Sequence, residues 1–278
     1  MKTVAIIGIG LIGGSLGQAL RRTRRYRVLG IARKPRTLRE ARRLGAIDRG
    51  STRLEDAAQA DLIVIATPVD RVVPTARKLF PLLKPGTIVT DVSSVKGAIL
   101  DGIRRLVKSE KVHFVGSHPL AGSHRTGVKA ANANLFRGST CVLVPLGNMP
   151  VNAIAALWRA VGARPRTLSA AAHDSAVAVT SHLPHLVAHA LVHTFAGRSE
   201  RPLLRSLLAG SFRDGTRVAS SDPDQWAQIM TANASALRRA VREFGAELSR
   251  LENSIGTLRL KTLLRRSHVL RRPLFHGV

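Results

Sequence analysis

The stretch VAIIGIGLIGGSL, residues 4–16, limits the fold more than any other part of the chain. Val4 to Ile7 is an apolar run of strand length. From Leu11 a helical pattern places Leu16, Ala19 and Leu20 on one face. Between them Gly8, Gly10 and Gly13 stand in the spacing G-x-G-x-x-G. Alone, that spacing says little. After a strand and at the start of a helix it describes a turn built for a dinucleotide. The first glycine permits the tight turn, the second lets backbone approach a pyrophosphate, and the third lets helix and strand pack closely. The helix N-terminus then points its free N–H groups at the phosphates. Leu11 and Ile12, inside the turn, join the three glycines as expected cofactor contacts.

From this start to about residue 168, short apolar runs alternate with helical patterns. YRVLGIA, DLIVIATP, GTIVTDV, KVHFVGS and STCVLVP read as further strands. They lack the polar alternation of a half-wet sheet, and helices separate most of them. That texture predicts a doubly wound, parallel Rossmann-type α/β sheet, covered on both faces, over residues 1–168. In such a sheet ligands gather beyond the carboxyl ends of the strands, so Thr67 and Pro68 at the end of DLIVIATP are expected to line the cofactor cleft.

The second strand carries the choice of cofactor. A free ribose 2′-hydroxyl is usually held by an acid about 20 residues beyond the glycines. Here GIARKP presents Ala32, Arg33 and Lys34, and no acid occurs before Glu40. The fork of donors on Arg33 suits a 2′-phosphate. The expected cofactor is therefore NADP, with NAD as the alternative and a solvated basic turn as the plain reading of the same residues.

After about residue 169 the texture changes to alanine, leucine and arginine, with no evident strand. Residues 169–278 are expected to form an all-α domain. Asp222, Pro223 and Gln225 read as a helix start: an N-cap, a proline at the first position and a partner at the third. Apolar residues then recur in steps of three and four from Trp226 to Leu258, with Asn233 interrupting the seam. This predicts one helix of about 50 Å, at roughly 1.5 Å per residue. So long an apolar seam needs a partner helix, and a homodimer built through this half is expected.

The chain carries 44 Lys plus Arg against 17 Asp plus Glu, a formal charge of +27 over 278 residues. That balance favours acidic partners. However, the basic residues are spread along the whole chain, aromatics make up only 4%, and no zinc-finger or RNA-binding motif accompanies them. Specific nucleic-acid binding is not expected, and phosphorylated or carboxylated small molecules fit better. A single cysteine, Cys141, rules out an internal disulfide framework and suits the cytoplasm. The uncharged N-terminal run is broken by glycines and leads into RRTRR rather than a cleavage site, so neither a signal peptide nor a membrane span is expected.

Four polar segments fall where the sheet should open or in the helical half. They are DVSSVK (91–96), GSHPLAGS (116–123), SHLPH (181–185) and FRDGTRVASSDP (212–223). Together with GLIGGSL, and in this order, they resemble the prephenate/arogenate dehydrogenases of tyrosine biosynthesis, from residue 3 to about residue 245. No chorismate mutase segment is expected ahead of them and no regulatory domain after. The resemblance implies hydride transfer from a cyclohexadienyl ring carbon to NAD(P), with loss of the ring carboxylate as carbon dioxide. It implies that His118 is the catalytic residue, and that Ser94 orients it and touches the substrate hydroxyl. The chemistry of His118 agrees, since a neutral imidazole is available as a base near neutrality. The plain alternative is a turn histidine bonded to backbone. By the same resemblance His182 and Arg217 lie on the substrate side, Arg217 holding a carboxylate through paired hydrogen bonds. Ser93 and Lys96, within the same motif as Ser94, are further expected substrate contacts. Arg213 is expected to be structural, through Asp214.

His182, His185, His189 and His193 step along one helix, yet no carboxylate or cysteine joins the later members, so no metal site is expected. Two other function classes remain open at this level. One is a different two-domain oxidoreductase acting on a hydroxy acid or imine; such enzymes usually carry a lysine on the catalytic helix, and none occurs between Lys129 and Lys261. The other is a cofactor-binding sensor without catalysis.

Overall fold

A computed structural model of the chain describes residues 1–107, 112–123, 125–147, 149 and 151–275. Its first half is one eight-stranded sheet. The elements run β1 (Lys2–Ile7), α1 (Leu11–Arg22), β2 (Tyr26–Ile31), α2 (Pro35–Arg43), β3 (Arg49–Ser51), β4 (Leu62–Ile65), α3 (Val69–Leu79), β5 (Thr87–Asp91), α4 (Gly97–Leu106), β6 (Val112–Pro119), β7 (Thr140–Pro145), α5 (Asn152–Ala160) and β8 (Arg164–Thr167). Lys111, expected to open the β6 strand, lies outside the described residues. The strand order is β3-β2-β1-β4-β5-β6-β7-β8. The order reverses between β1 and β4, which makes the crevice beyond these two strands the topological switch point where doubly wound sheets bind ligands.

Buried side chains explain why the sheet forms. Val4, Ile6 and Val64 pack against α1 and α5 on one face, while Ala5, Ile63 and Ile65 pack against α3 and α4 on the other. Strands buried on both faces need no polar alternation. Two details depart from the expected parallel sheet of longer apolar strands. β7 runs antiparallel to β6, with His118 opposite Val142. β3 and β8 are short strands that carry too few apolar residues to be read as such.

The helical half comprises α6 (Ala170–Val177), a wide π-type turn at Ala178–His182, α7 (Leu183–Ala196), α8 (Arg201–Ser206), α9 (Gly210–Thr216), α10 (Pro223–Ala232), α11 (Ala234–Glu252) and α12 (Leu258–Arg271). The single long helix expected from Trp226 to Leu258 is not there. Asn233 leaves helical geometry at φ −114°, ψ 27° and separates α10 from α11. A second break follows Glu252, where Gly256 takes a positive φ of 81°. The start of α10 is as expected: Asp222 accepts from Gln225 N at 2.9 Å, with Pro223 at the first position. The continuous run Ala170–Ala196 is long and apolar enough to cross a bilayer by length and composition. It carries His173, Asp174 and His182 inward, where the first two bond to each other and to the sheet half and His182 bonds to Asn233. α10 docks the two halves together, since Ile229 and Trp226 join the apolar core beneath α3 and α4.

Candidate active site

The site begins at the glycine turn. Gly8 has φ +100°, and a Cβ there would lie 2.6 Å from the Ala66 carbonyl oxygen across the switch point. A Cβ on Gly13 would lie 2.1 Å from the Gly8 oxygen. Neither position has room for a side chain. Gly10 differs: nothing lies within 4 Å of its added Cβ, so its side of the turn is open. α1 has no side-chain N-cap and no acid in its first turn. Open space before uncapped N–H groups is what a pyrophosphate requires. Thr67, on the other lip, has a buried hydroxyl without a hydrogen bond among the described residues. These residues fit a dinucleotide. Arg33 and Lys34 lie exposed beyond β2, and Glu40, the nearest acid in sequence, is engaged by Arg43 at 2.8 Å.

His118 sits near the carboxyl end of β6, inside the strand rather than in the loop that follows. Its Nδ1 lies 2.8 Å from Nε2 of His173, the rings edge to face with centroids 5.0 Å apart. Its Nε2 bonds no described residue. His173 Nδ1 in turn meets Asp174 Oδ1 at 2.7 Å. The orienting contact expected of Ser94 is thus made by His173. Ser94 is half-buried, and its hydroxyl makes no hydrogen bond to a described residue. Burial, followed by the neighbouring His173, Lys96 and His182, holds the His118 pKa well below the ordinary imidazole value. The ring is therefore neutral at neutral pH, as a base must be.

Asp174 joins this line of groups to the sheet half. Oδ1 also accepts from Lys96 N at 2.8 Å, and Oδ2 from Gly97 N at 2.7 Å. The carboxylate thereby caps α4, which has no cap of its own. Burial pushes the Asp174 pKa up, but the bonds from His173, Lys96 and Gly97 outweigh it and the net shift is downward. The acid is ionised and acts only as an acceptor.

Lys96 was expected to touch substrate, and the structure corrects that. Its side chain is fully buried, with Nζ 2.6 Å from Asp91 Oδ2 and 2.8 Å from the Ser117 carbonyl. Asp91 also accepts from Ser93 N and Ser117 N. This ion pair ties the DVSSVK loop to the strand residue just before His118, and no part of it reaches the cleft. Ser93 fares better: its Oγ is buried and unpaired among the described residues.

On the helical side, His182 Nδ1 lies 3.2 Å from Nδ2 of Asn233. Trp226 meets His182 edge to face and stacks on His185, with centroids 6.0 and 3.3 Å away. Burial lowers the His182 and His185 pKa values to about 4 each, and Arg217 adds to the effect on His185. Arg217 itself is exposed and pairs with no described acid. His185 Nδ1 and Gln228 are two more buried polar groups left unpaired among the described residues. Buried polar atoms normally find partners, so such atoms in both halves, Thr67 and Ser93 in one and His185 and Gln228 in the other, are what a polar ligand could satisfy. Arg213 was expected to serve Asp214, but their contact is 3.7 Å and almost fully exposed, too weak to be structural. Cys141 is buried, and burial pushes its thiol pKa up, so it is inert. Among the described residues no three His, Cys, Asp or Glu side chains converge to hold a metal.

His173, Asp174, Trp226 and Asn233 were not anticipated in these roles. The signal for Asn233 was its interruption of an apolar seam. For Asp174 it was an acid on an otherwise apolar helix in an acid-poor chain.

Family models for the prephenate dehydrogenase nucleotide-binding domain and the prephenate dehydrogenase dimerization domain match residues 16–166 and 169–266. The chain belongs to the prephenate dehydrogenase family. Among its relatives, the cyclohexadienyl dehydrogenase of Zymomonas mobilis is 36% identical over 264 residues, covering 92% of this chain and 89% of that protein. The crystal structure of Synechocystis arogenate dehydrogenase superposes with a TM-score of 0.85 at 32% identity, covering 98% of this chain and 99% of that one. That of the A. aeolicus prephenate dehydrogenase, in complex with hydroxyphenyl propionate and NAD+, gives 0.91 at 31% identity, over 99% and 98%. Membership makes the chain a dehydrogenase, which sets aside both the hydroxy-acid reading and the sensor reading.

Proposed function

We propose that the chain converts prephenate to 4-hydroxyphenylpyruvate or arogenate to tyrosine, with His118 as the general base. The observation that carries this is an unbonded imidazole nitrogen, His118 Nε2, near the carboxyl end of β6, two strands from β4 in the sheet that carries the dinucleotide turn. When bound, the nicotinamide supplies the hydride acceptor. The chain's own residues do the rest. His118 takes the proton of the ring hydroxyl as the hydride leaves the carbon bearing it. The ring–carboxylate bond breaks, carbon dioxide departs, and its electron pair makes the ring aromatic. The ring oxygen then recovers the proton, so no net proton is consumed. Ser94, with a free hydroxyl in the adjoining loop, contacts the same ring oxygen. Arg217 binds a substrate carboxylate, with Ser93 and His182 completing the polar wall.

The test is formation of reduced cofactor from prephenate and, separately, from arogenate. Turnover of at least one supports the reading, and inertness toward both, with cofactor bound, refutes it.

Arg33 and Lys34, without a competing acid, favour NADP over NAD. Exposed Leu203, Leu207, Leu208, Phe244, Leu248 and Ile255 favour a homodimer through the C-terminal helices, in line with the description of the matching dimerization domain. A cytoplasmic location fits the single buried cysteine.

A further inference from the structure

Two hydrogen-bonded chains lead away from the cleft, and both end on Asp174. One is His118 to His173 to the Asp174 carboxylate. The other is His182 to Asn233, whose Nδ2 also donates to the Asp174 backbone carbonyl at 2.8 Å. Each fixes where protons can sit.

The Asp174 carboxylate can only accept, so His173 carries its proton on Nδ1. With its single ring proton spent on Asp174, His173 offers a bare Nε2 to His118. For the 2.8 Å contact to be a hydrogen bond, His118 must donate from Nδ1. A neutral His118 has one ring proton, so its Nε2 is bare. On the second chain, the group beside His182 Nδ1 is an amide nitrogen, held in that orientation because its other contact is a carbonyl. An amide nitrogen donates, so His182 Nδ1 accepts, and neutral His182 carries its proton on Nε2.

We propose that Asp174 and Asn233 are positioning residues that lock the two cleft histidines in opposite tautomers: His118 with a bare Nε2 that accepts the ring hydroxyl proton, and His182 with an Nε2–H that donates to a substrate oxygen. This rests on the dehydrogenase reading above and extends it to two residues that touch neither substrate nor cofactor. Asn233 stands at the break between α10 and α11, and from there its amide meets His182 and the Asp174 carbonyl at once.

The experiment is imidazole nitrogen NMR on the full-length chain, labelled with 15N-histidine, saturated with NADP and held at about pH 8, above the ordinary imidazole pKa. Single His118→Gln and His182→Gln variants assign the signals. The expected pattern is a protonated Nδ1 with bare Nε2 for His118, and the reverse for His182. The same tautomer in both rings, or the exchanged pattern, overturns the proposal. The measurement needs no change to Asp174, whose loss would also uncap α4. Asn233→Leu supplies the kinetic arm: substrate KM should rise roughly 10-fold with kcat changed far less, since binding rather than chemistry loses its donor. Unchanged KM would remove Asn233 from the mechanism. Absence of turnover in the unaltered enzyme would defeat the dehydrogenase reading while leaving the tautomer pattern to be read on its own.

Discussion

His118 Nδ1 lies 2.8 Å from His173 Nε2, and that contact joins the last turn of a sheet strand to the first helix of the other half. His118 is thereby oriented by a residue of the helical half. Removing its basicity while keeping its Nδ1-side bond is the direct test. His118→Asn should lower kcat by about 10²–10⁴-fold with KM little changed. In the unaltered enzyme kcat should hold as pH drops through 6.5, because the His118 pKa is displaced below that value. It should then fall at lower pH, as the ring gains a proton and ceases to accept. This acidic limb should vanish in the variant. A near-normal kcat in His118→Asn would return the residue to turn-capping.

The same burial makes the fold acid-sensitive. His182 and His185 have native pKa values of about 4 against an ordinary 6.5. Between those values the unfolded chain binds more protons than the folded one, so stability is full above 6.5 and declines as pH falls toward 4. Thermal melts across that window should show Tm falling with pH, and less steeply in His182→Gln. An unchanged slope would mean that His182 titrates normally.

Much of the sheet half was legible because its signals are local. Glycine spacing, apolar runs and the strand-to-helix switch at Leu11 each lie within a dozen residues. What the sequence concealed depends on distance. His173 and Asp174 reach His118 and Lys96 across 55 and 78 positions, and no pattern near Ala170 announces it. Lys96 was misread because its motif places it beside serines expected to face substrate, whereas only the fold shows Asp91 close enough to claim its ammonium. The long helix was misread because its apolar steps resume in the same register beyond Asn233, while the backbone breaks there.

Cofactor choice rests on Arg33 and Lys34, exposed beyond β2, with Glu40 engaged by Arg43. The kcat/KM for NADP should exceed that for NAD. Because a hydrogen bond to a charged group contributes about 1.5–3 kcal/mol, Arg33→Asp should reduce NADP efficiency roughly 10- to 100-fold. NAD efficiency should fall much less. Equal efficiencies in the unaltered enzyme would sink the preference.

Part of α11 is used within the chain, since Ala236 and Ala240 pack against Ala178 and Leu183 and Leu237 is buried, while Phe244 and Leu248 remain outside. A solvent-exposed run of this kind on one helix calls for a second copy. Sedimentation at micromolar concentration should give twice 29.9 kDa, and Leu248→Glu should shift the species toward the single-chain mass. A single-chain mass for the unaltered protein would refute the dimer.

Arg217 separates binding from chemistry. It is exposed at the end of α9, near enough to His185 to depress its pKa, and free of any described acid. A substrate carboxylate that stays charged from ground state to transition state receives uniform binding from such a group. Arg217→Ala should therefore raise KM roughly 10- to 100-fold, the worth of a hydrogen bond to a charged partner, and lower kcat far less. Arg217→Lys should recover only part of the loss, because an ammonium cannot make the paired contact. Arg213→Ala should leave Tm unchanged, since its only acid contact among the described residues is the exposed 3.7 Å pair with Asp214. Cofactor affinity should be untouched in Arg217→Ala, because the dinucleotide turn and its opposite lip at Thr67 belong to the sheet half. A variant that lost NADP binding but kept its substrate KM would move Arg217 to the cofactor side and reverse the assignment of the two cleft walls.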